Sequence, residues 1–250
     1  MTIQVPVKWW QIGLLVVVPV FVVLLNLYLN KPVHQKGLTV RPANYIKYNP
    51  SDHNTYLQKY VHPLNIFMKK YEEAKTKLGH GVMYCSKDSL PGEGETCFFN
   101  PLWVYQLCSP EDNWNYGTEK PCILLSFENF DIKNDFEPHT VETIQTEESA
   151  AQDIKDLIQE ATYENDGEVN RKVWVTCSDG QHSYTEYTGF PTYFFHNTHL
   201  STYLPPLLGV RLNVGKKFNQ DVPIECRIWA QNVNFSDEYG KVNFTVHIVK

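Results

Sequence analysis

The chain lacks the short motifs that mark the common kinds of catalytic site. Its 250 residues contain no Asp-x-Asp sequence, no Gly-x-Ser-x-Gly nucleophile elbow and no His-Glu-x-x-His zinc motif. His196 and His199 are three residues apart, but no third ligand is evident, which favours a surface loop over a metal site. The sequence therefore names no catalytic residue, no metal ligand and no cofactor.

An excess of positive charge is also absent. The formal net charge is −6 and the isoelectric point is about 5.8, which argues against nucleic acid as a partner. There is no internal repeat and no low-complexity tract. Aromatic residues make up 14% of the chain, which favours a well-filled, β-rich core over disorder.

Charge is missing altogether from one run near the N-terminus, between Trp9 and Leu29. The run is long enough to cross a bilayer as a helix. Trp9, Trp10 and Tyr28 are suited to the two membrane interfaces. A cleaved signal peptide would have a shorter apolar region followed by small residues, so the run is interpreted as an uncleaved anchor in the lipid bilayer.

Cysteine is absent before residue 85, and all six cysteines follow the apolar run. Disulfides need an oxidising compartment, and sequons for N-linked glycans begin at Asn234 and Asn243. The basic residues that follow the run would by themselves favour the opposite orientation. We give the cysteines and sequons more weight and predict a cytoplasmic tail at 1–8, a transmembrane signal anchor at 9–29 and an exterior C-terminus. The protein would reach the plasma membrane through the endoplasmic reticulum, with both asparagines glycosylated.

The remainder divides by its sequence pattern. Residues 30–80 are predicted to form an extended stalk and a juxtamembrane helix, because prolines precede a stretch with apolar residues near 3.6 spacing. Residues 81–250 are predicted to form an antiparallel β-sandwich with one inserted helix near Gln152. The predicted strands are 97–107, 121–130, 172–178, 184–190, 207–214, 222–233 and 241–249.

The cysteines are expected to form a disulfide framework. Six cysteines allow 15 connectivities, and spacing alone does not choose among them. Cys177 and Cys226 lie on apolar strand faces, as a bridge between two sheets requires. The other four flank two turn-rich segments. We therefore predict the pairs Cys85–Cys97, Cys108–Cys122 and Cys177–Cys226.

Three segments share a pattern with a known family. The first runs from Cys97-Phe98-Phe99 to Cys108-Ser109 and continues with Tyr116-Gly117-Thr118-Glu119-Lys120-Pro121-Cys122. The second consists of Val173 to Cys177, Phe190-Pro191, and Tyr203 to Leu212. The third consists of Ile224-Glu225-Cys226 and the closing strand from Gly240 to Ile248. Together they resemble the beta subunit of the sodium/potassium-transporting P-type ATPase, whose relative serves the proton/potassium pump.

The resemblance implies a non-catalytic type II glycoprotein with an immunoglobulin-like extracellular domain. Such a subunit binds the catalytic alpha subunit, supports its folding and delivery to the membrane, and modulates potassium transport. The family's sequential cysteine pairing agrees with the pairs chosen above. The chain departs from the pattern at Glu119, where the family commonly has Gly, and in its very short inner tail, so a divergent member is expected.

Contacts with an alpha subunit are predicted in two places. In the span, Gly13 would allow close helix approach, with Trp9 and Trp10 near the inner interface. Outside, aromatic side chains in or near loops are typical interface anchors. The predicted outer contacts are Tyr116, Tyr193, Phe194 and Phe195.

Two other functions fit the same layout. A single-pass adhesion or receptor-like glycoprotein could use the sandwich to bind adhesion partners without a pump. A membrane-anchored lumenal enzyme, such as a glycosyltransferase, could carry a site that no motif reveals. Co-purification of a pump with the chain would separate the leading interpretation from both.

Overall fold

The computed structural model describes residues 37–128, 136–148, 150–164, 172–184, 189–215, 217–233 and 239–250. The predicted tail and anchor, with Trp9, Trp10 and Gly13, lie outside the described residues, as does Asn234. None of the helices in the described ranges has the length and apolar character needed to cross a bilayer. The described residues belong to one compact unit that starts at Lys36.

Ten strands and five α-helices make up the described part of this unit. The strands are β1 (Gly37–Arg41), β2 (Tyr45–Tyr48), β3 (Val82–Met83), β4 (Thr96–Cys97), β5 (Cys122–Glu128), β6 (Lys172–Ser178), β7 (Gly189–Pro191), β8 (Leu207–Arg211), β9 (Val222–Trp229) and β10 (Lys241–Ile248). The helices are α1 (His53–Tyr56), α2 (His62–Ala74), α3 (Leu102–Tyr105), α4 (Val141–Thr146) and α5 (Gln152–Glu164).

Two sheets carry the architecture, and a short β3–β4 pair stands apart from them. The three-stranded sheet has the order β1-β5-β8, and the five-stranded sheet has the order β2-β10-β9-β6-β7. Every pair in these two sheets is antiparallel except β2 with β10. The mainly β fold is therefore confirmed. The expectation of a wholly antiparallel arrangement is wrong, because the segment read as a stalk contributes a parallel edge strand.

That segment belongs to the folded unit. β1 pairs with β5 and β2 pairs with β10, so the residues on either side of Pro42 enter different sheets. Gly37 opens β1 with a φ of +84°, and a Cβ there would lie 2.2 Å from the carbonyl oxygen of Tyr239. Only glycine tolerates both the backbone conformation and the close approach. The predicted boundary at residue 81 is therefore not a boundary of the fold.

The helix predicted within residues 30–80 is present as α1, a π-helical turn at Leu57–Val61, and α2. Pro63 is the second residue of α2, and the helical backbone continues into α2 from the π-helical turn before it. The turn before it, and not a kink at the proline, carries the irregularity. Leu64, Met68 and Tyr71 form the buried face of α2, so this helix packs into the same core as the strands.

Tyr60 joins the π-helical turn to the free edge of the five-stranded sheet. Its hydroxyl accepts a hydrogen bond from the N–H of Lys47 at 2.8 Å and donates one to the carbonyl of Lys47 at 2.9 Å. β2 is an edge strand, whose outward backbone groups would otherwise need water or another strand. One side chain therefore satisfies both outward-facing groups of Lys47.

The main core is continuous between the two sheets. A single cluster of buried side chains includes Val40 and Leu125 from the three-stranded sheet with Val175, Ile224 and others from the five-stranded sheet. Burying apolar surface of this kind is the dominant stabilising contribution to folding. The two sheets therefore share one core.

A second, smaller core lies on the other face of the five-stranded sheet. Trp174 of β6 is paired with Trp229 of β9, and Ile154 and Ile158 of α5 pack against them. The inserted helix predicted near Gln152 is therefore present, and its apolar side covers one end of the outer sheet face.

The three disulfides join Cys85 to Cys97, Cys108 to Cys122 and Cys177 to Cys226, which are the predicted pairs. The last pair was predicted as a bridge between two sheets, and that part of the prediction is wrong. Cys177 and Cys226 are directly opposite each other on neighbouring strands, with Cα atoms 4.0 Å apart. The bridge lies within one sheet and does not join the two sheets.

Strand predictions hold best for the central strands. β6 has the predicted bounds of 172–178, and β5, β8, β9 and β10 lie within their predicted ranges. The strand predicted at 97–107 is wrong, because only its first residue is in a strand and α3 follows Pro101. Of the strand predicted at 184–190, residues 185–188 lie outside the described residues, and the last two residues belong to β7, which begins at Gly189.

Replacing Tyr60 with Phe tests the edge contact. Tyr60→Phe removes the hydroxyl but keeps the ring, so the backbone groups of Lys47 lose their partner. We expect the free energy of unfolding to fall by about 1–3 kcal/mol, measured by urea unfolding of the disulfide-bonded outer unit.

Tyr45→Phe is the matched control, since the Tyr45 hydroxyl donates to Asp221 at an exposed position. Its effect should stay below about 0.5 kcal/mol. Equal losses in the two variants would contradict a special role for Tyr60.

Candidate functional surfaces

The aromatic residues predicted as outer contacts are mostly in the core. Tyr116, Phe194 and Phe195 are 0%, 3% and 4% exposed, and Tyr193 is half-buried. Tyr116 stacks on Tyr60 with ring centroids 5.1 Å apart. The prediction that Tyr116, Phe194 and Phe195 form a contact surface is wrong, because these loops fold inward and use their rings to fill the core.

A different apolar group is exposed on and just after α3. Leu102, Trp103 and Leu107 are 59%, 47% and 38% exposed, and we call these three residues the α3 surface. Val104 and Cys108 from the same stretch are buried. The short helix therefore presents one apolar side to the outside while its other side is anchored.

Buried residues beneath the α3 surface hold it in place. The Trp103 ring meets the rings of Phe99 and Phe194 edge-on, with centroids 5.8 Å apart in each case. A Cβ on Gly209 of β8 would lie 3.3 Å from the Val104 side chain and 3.4 Å from Cys108. Glycine thus lets α3 lie close against β8, and the Cys108–Cys122 disulfide joins the turn after α3 to the start of β5.

Sequence reasoning missed this surface because it read residues 97–107 as a strand. In a strand, adjacent Leu102 and Trp103 would point to opposite faces. In the first turn of a helix both can be exposed. Pro101 directly before them was the available signal, because proline is favoured at helix starts.

A groove of about 660 Å³ lies on the outer face of the five-stranded sheet, beside the start of α5. Asn243, predicted as a glycosylation site, is exposed on β10 and lines this groove together with Thr245 of the same sequon. The groove is within the size range of sites for small organic ligands. None of the described residues form a cluster of three or more His, Cys, Asp or Glu suited to a metal ion.

A buried carboxylate fixes one end of the groove. Asp179 has a side chain only 1% exposed, and it accepts hydrogen bonds from Lys217 at 2.7 Å and Tyr184 at 2.6 Å. The backbone N–H groups of Gln181 and His182 also donate to it. Burial raises the pKa of Asp179, but these hydrogen bonds outweigh burial and hold the pKa well below its usual range.

The comparisons with known proteins identify the family. The family model described as sodium/potassium ATPase beta chain matches residues 13–248. This chain belongs to that family. Sodium/potassium-transporting ATPase subunit beta-1 of Drosophila melanogaster is 26% identical over 200 residues, which cover 75% of this chain and 60% of the relative. Subunit beta-2 of the same organism is 24% identical over 241 residues, covering 85% of this chain and 70% of the relative.

Low identity to both relatives agrees with a divergent family member. The match to the first relative leaves 40% of its length uncovered, since it spans 60%. The family match over residues 13–248 nevertheless places the chain in the beta chain family.

The Asp179 cluster predicts an acid-sensitive contribution to stability. A depressed pKa means that the ionised carboxylate stabilises the fold above its unfolded pKa of about 4, and that this contribution is lost as pH falls further. Asp179→Asn should lower the free energy of unfolding by about 1–3 kcal/mol at neutral pH. The difference from the unmodified protein should shrink as the pH falls below about 4.

Urea unfolding at a series of pH values measures both effects. Asp221→Asn is the matched control, because Asp221 is 60% exposed and its pairing with His247 is open to solvent. A loss for Asp179→Asn that is the same at low and neutral pH would contradict the assignment.

Proposed function

We propose that this chain is a non-catalytic beta subunit of a sodium/potassium-transporting ATPase. It binds the catalytic alpha subunit, supports its folding and its delivery through the endoplasmic reticulum to the plasma membrane, and modulates sodium and potassium transport. The observation that carries the proposal is the family match, which runs along nearly the whole chain. The three disulfides support an exterior location for the folded unit.

The proposed topology is type II, with residues 1–8 in the cytoplasm and residues 9–29 as the anchor. The extracellular domain then begins near residue 37, where β1 starts, and not at residue 81. We propose that this domain is an immunoglobulin-like sandwich, because two sheets share one core. The parallel β2–β10 pair and the disulfide within one sheet distinguish it from the usual arrangement.

The α3 surface is proposed as an outer contact with the alpha subunit. Interface anchors are large apolar side chains that are exposed before assembly and held in place by their own fold. Trp103 meets both conditions, since it is 47% exposed and its ring rests on Phe99 and Phe194. The flanking Leu102 and Leu107 extend the apolar area. This surface replaces the buried aromatic residues in the predicted set of contacts.

Co-purification tests the proposed function directly. The full chain with an affinity tag is expressed in insect cells together with a sodium/potassium-transporting ATPase alpha subunit, extracted in mild detergent and purified. We expect the alpha subunit to be recovered with the chain and to be identified by mass spectrometry. A tagged, unrelated type II glycoprotein is the control. Recovery no greater than with that control would rule out the proposal.

A double substitution tests the α3 surface. Leu102→Glu with Leu107→Gln removes apolar area from exposed positions and leaves Trp103 and the core unchanged. We expect recovery of the alpha subunit to fall at least about fivefold, the effect of losing about 1 kcal/mol of binding free energy.

Leu90→Glu is the matched control, because Leu90 is 53% exposed on a loop before β4. This substitution also replaces an exposed leucine with a polar side chain, but outside the α3 surface. It should leave recovery unchanged. Both variants must retain the three disulfides and the melting temperature of the unmodified protein. Full recovery with the double variant would show that α3 is not a contact.

A further inference from the structure

The groove on the outer sheet face has a floor of three central strands. On that face Asn243 of β10 lies opposite Glu225 of β9, which lies opposite Ser178 of β6. The neighbouring row contains Lys241, Arg227 and Thr176 in the same order. Neighbouring strands are about 4.8 Å apart, so each row crosses about 10 Å of sheet.

The opposite face of the same three strands is closed. Val242, Cys226 and Cys177 form the row between the two outer rows; the two cysteines are buried in the core, and Val242 packs against it. The Cys177–Cys226 disulfide joins β6 to β9 under the groove. The groove is therefore a rigid surface feature with a covalently cross-linked floor.

The lining combines hydrogen-bonding groups with apolar walls, and three of its four charged side chains are in ion pairs, Asp153 being the fourth. Glu225 and Arg227 are about one-third exposed and form an ion pair with each other, and Asp179 is neutralised by Lys217. Hydroxyl groups come from residues on several strands, and apolar surface comes from the residues between them. The hydroxyl lining residues are Thr176, Ser178, Ser183 and Thr245, and the apolar ones on the groove side are Ala151, Pro223 and Trp229.

This chemistry suits a neutral sugar. Pyranose rings offer hydroxyl and amide groups at their edges and C–H groups on their faces, so they use both kinds of lining. An extended peptide is disfavoured, because β10, β9 and β6 are interior strands whose backbone groups are already paired. A phosphate or nucleic acid would need unpaired basic groups, and Arg227 already pairs with Glu225.

We infer that this groove holds an N-linked glycan attached to Asn243, with its first two sugar rings lying across β9 and β6. The attachment residue is itself part of the lining, so the covalent bond supplies a high effective concentration of sugar at the groove. The width of the three strands matches the length of two linked pyranose rings. The inference rests on the exterior location in the proposed function.

The first measurement is occupancy and shielding of Asn243 in the co-purified complex. Glycopeptide mass spectrometry should find a glycan on Asn243. The glycosidase that cuts between asparagine and the first sugar should release it at least about tenfold more slowly from the native complex than from the reduced, denatured chain. The glycan on Asn234, where present, is the internal comparison.

The second measurement is stability. Thr245→Val abolishes the sequon but keeps Asn243 and a residue well suited to strands, and Asn243→Gln removes the attachment site. Both should lower the melting temperature by about 3 °C, corresponding to about 1 kcal/mol. Asn234→Gln, which removes the other sequon, should lower it by less than 1 °C on the same scale.

The outcomes separate this inference from the proposed function. A bare Asn243 in a complex that still contains the alpha subunit overturns only the glycan. Rapid native release with unchanged melting temperatures also overturns it, because the glycan is then free in solvent. Absence of the alpha subunit, with free thiols and both asparagines bare, overturns the proposed function together with the glycan.

Discussion

The short stretch between Gly37 and Tyr48 ties the two sheets together, and much of the fold depends on it. β1 pairs with β5 in the three-stranded sheet, and β2 pairs with β10 in the five-stranded sheet only a few residues later. The chain therefore cannot form one sheet edge without positioning the other. The following helical segment then covers the free edge of β2 through Tyr60.

Central strands could be predicted from sequence because their pattern is local. In β6, β9 and β10 apolar residues alternate with polar ones, and one face is buried in the main core. Such alternation sets the strand, its length and its inward face. It also placed Cys177 and Cys226 on inward faces, which gave the right pair. It contains nothing about which strands are neighbours, and so the bridge was assigned between sheets and not within one.

Edge strands and short helices were missed because a local sequence pattern does not reveal them. β1 and β2 lie between prolines and are stabilised by partners far away in sequence, near residues 126 and 246. Their pairing is invisible to a local pattern. α3 has four residues, too few to show a helical period. The helical pattern therefore did not reveal the α3 surface, and Pro101 was the one local signal of its start.

Aromatic residues in the loops show why composition does not locate a surface. Tyr48, Tyr56, Tyr60 and Tyr116 form a buried group of rings under the 108–122 segment. Burial raises the pKa of Tyr48 and of Tyr116, so both stay neutral and act as apolar bodies. A loop that covers a core must itself supply apolar side chains. Tyr116 belongs to such a loop, and its ring is therefore unavailable to a partner.

The proposed function depends on surfaces whose shape persists, and two of the three disulfides lie beneath the surfaces proposed for binding. Cys108–Cys122 fixes the turn after α3 to the first residue of β5, while Cys177–Cys226 cross-links the floor of the groove. Preorganised surfaces lose less conformational entropy on binding than mobile ones. The cross-links thus lie at the contact surface proposed for the alpha subunit and at the groove proposed for the glycan, where a fixed shape would favour binding as well as stabilise the fold.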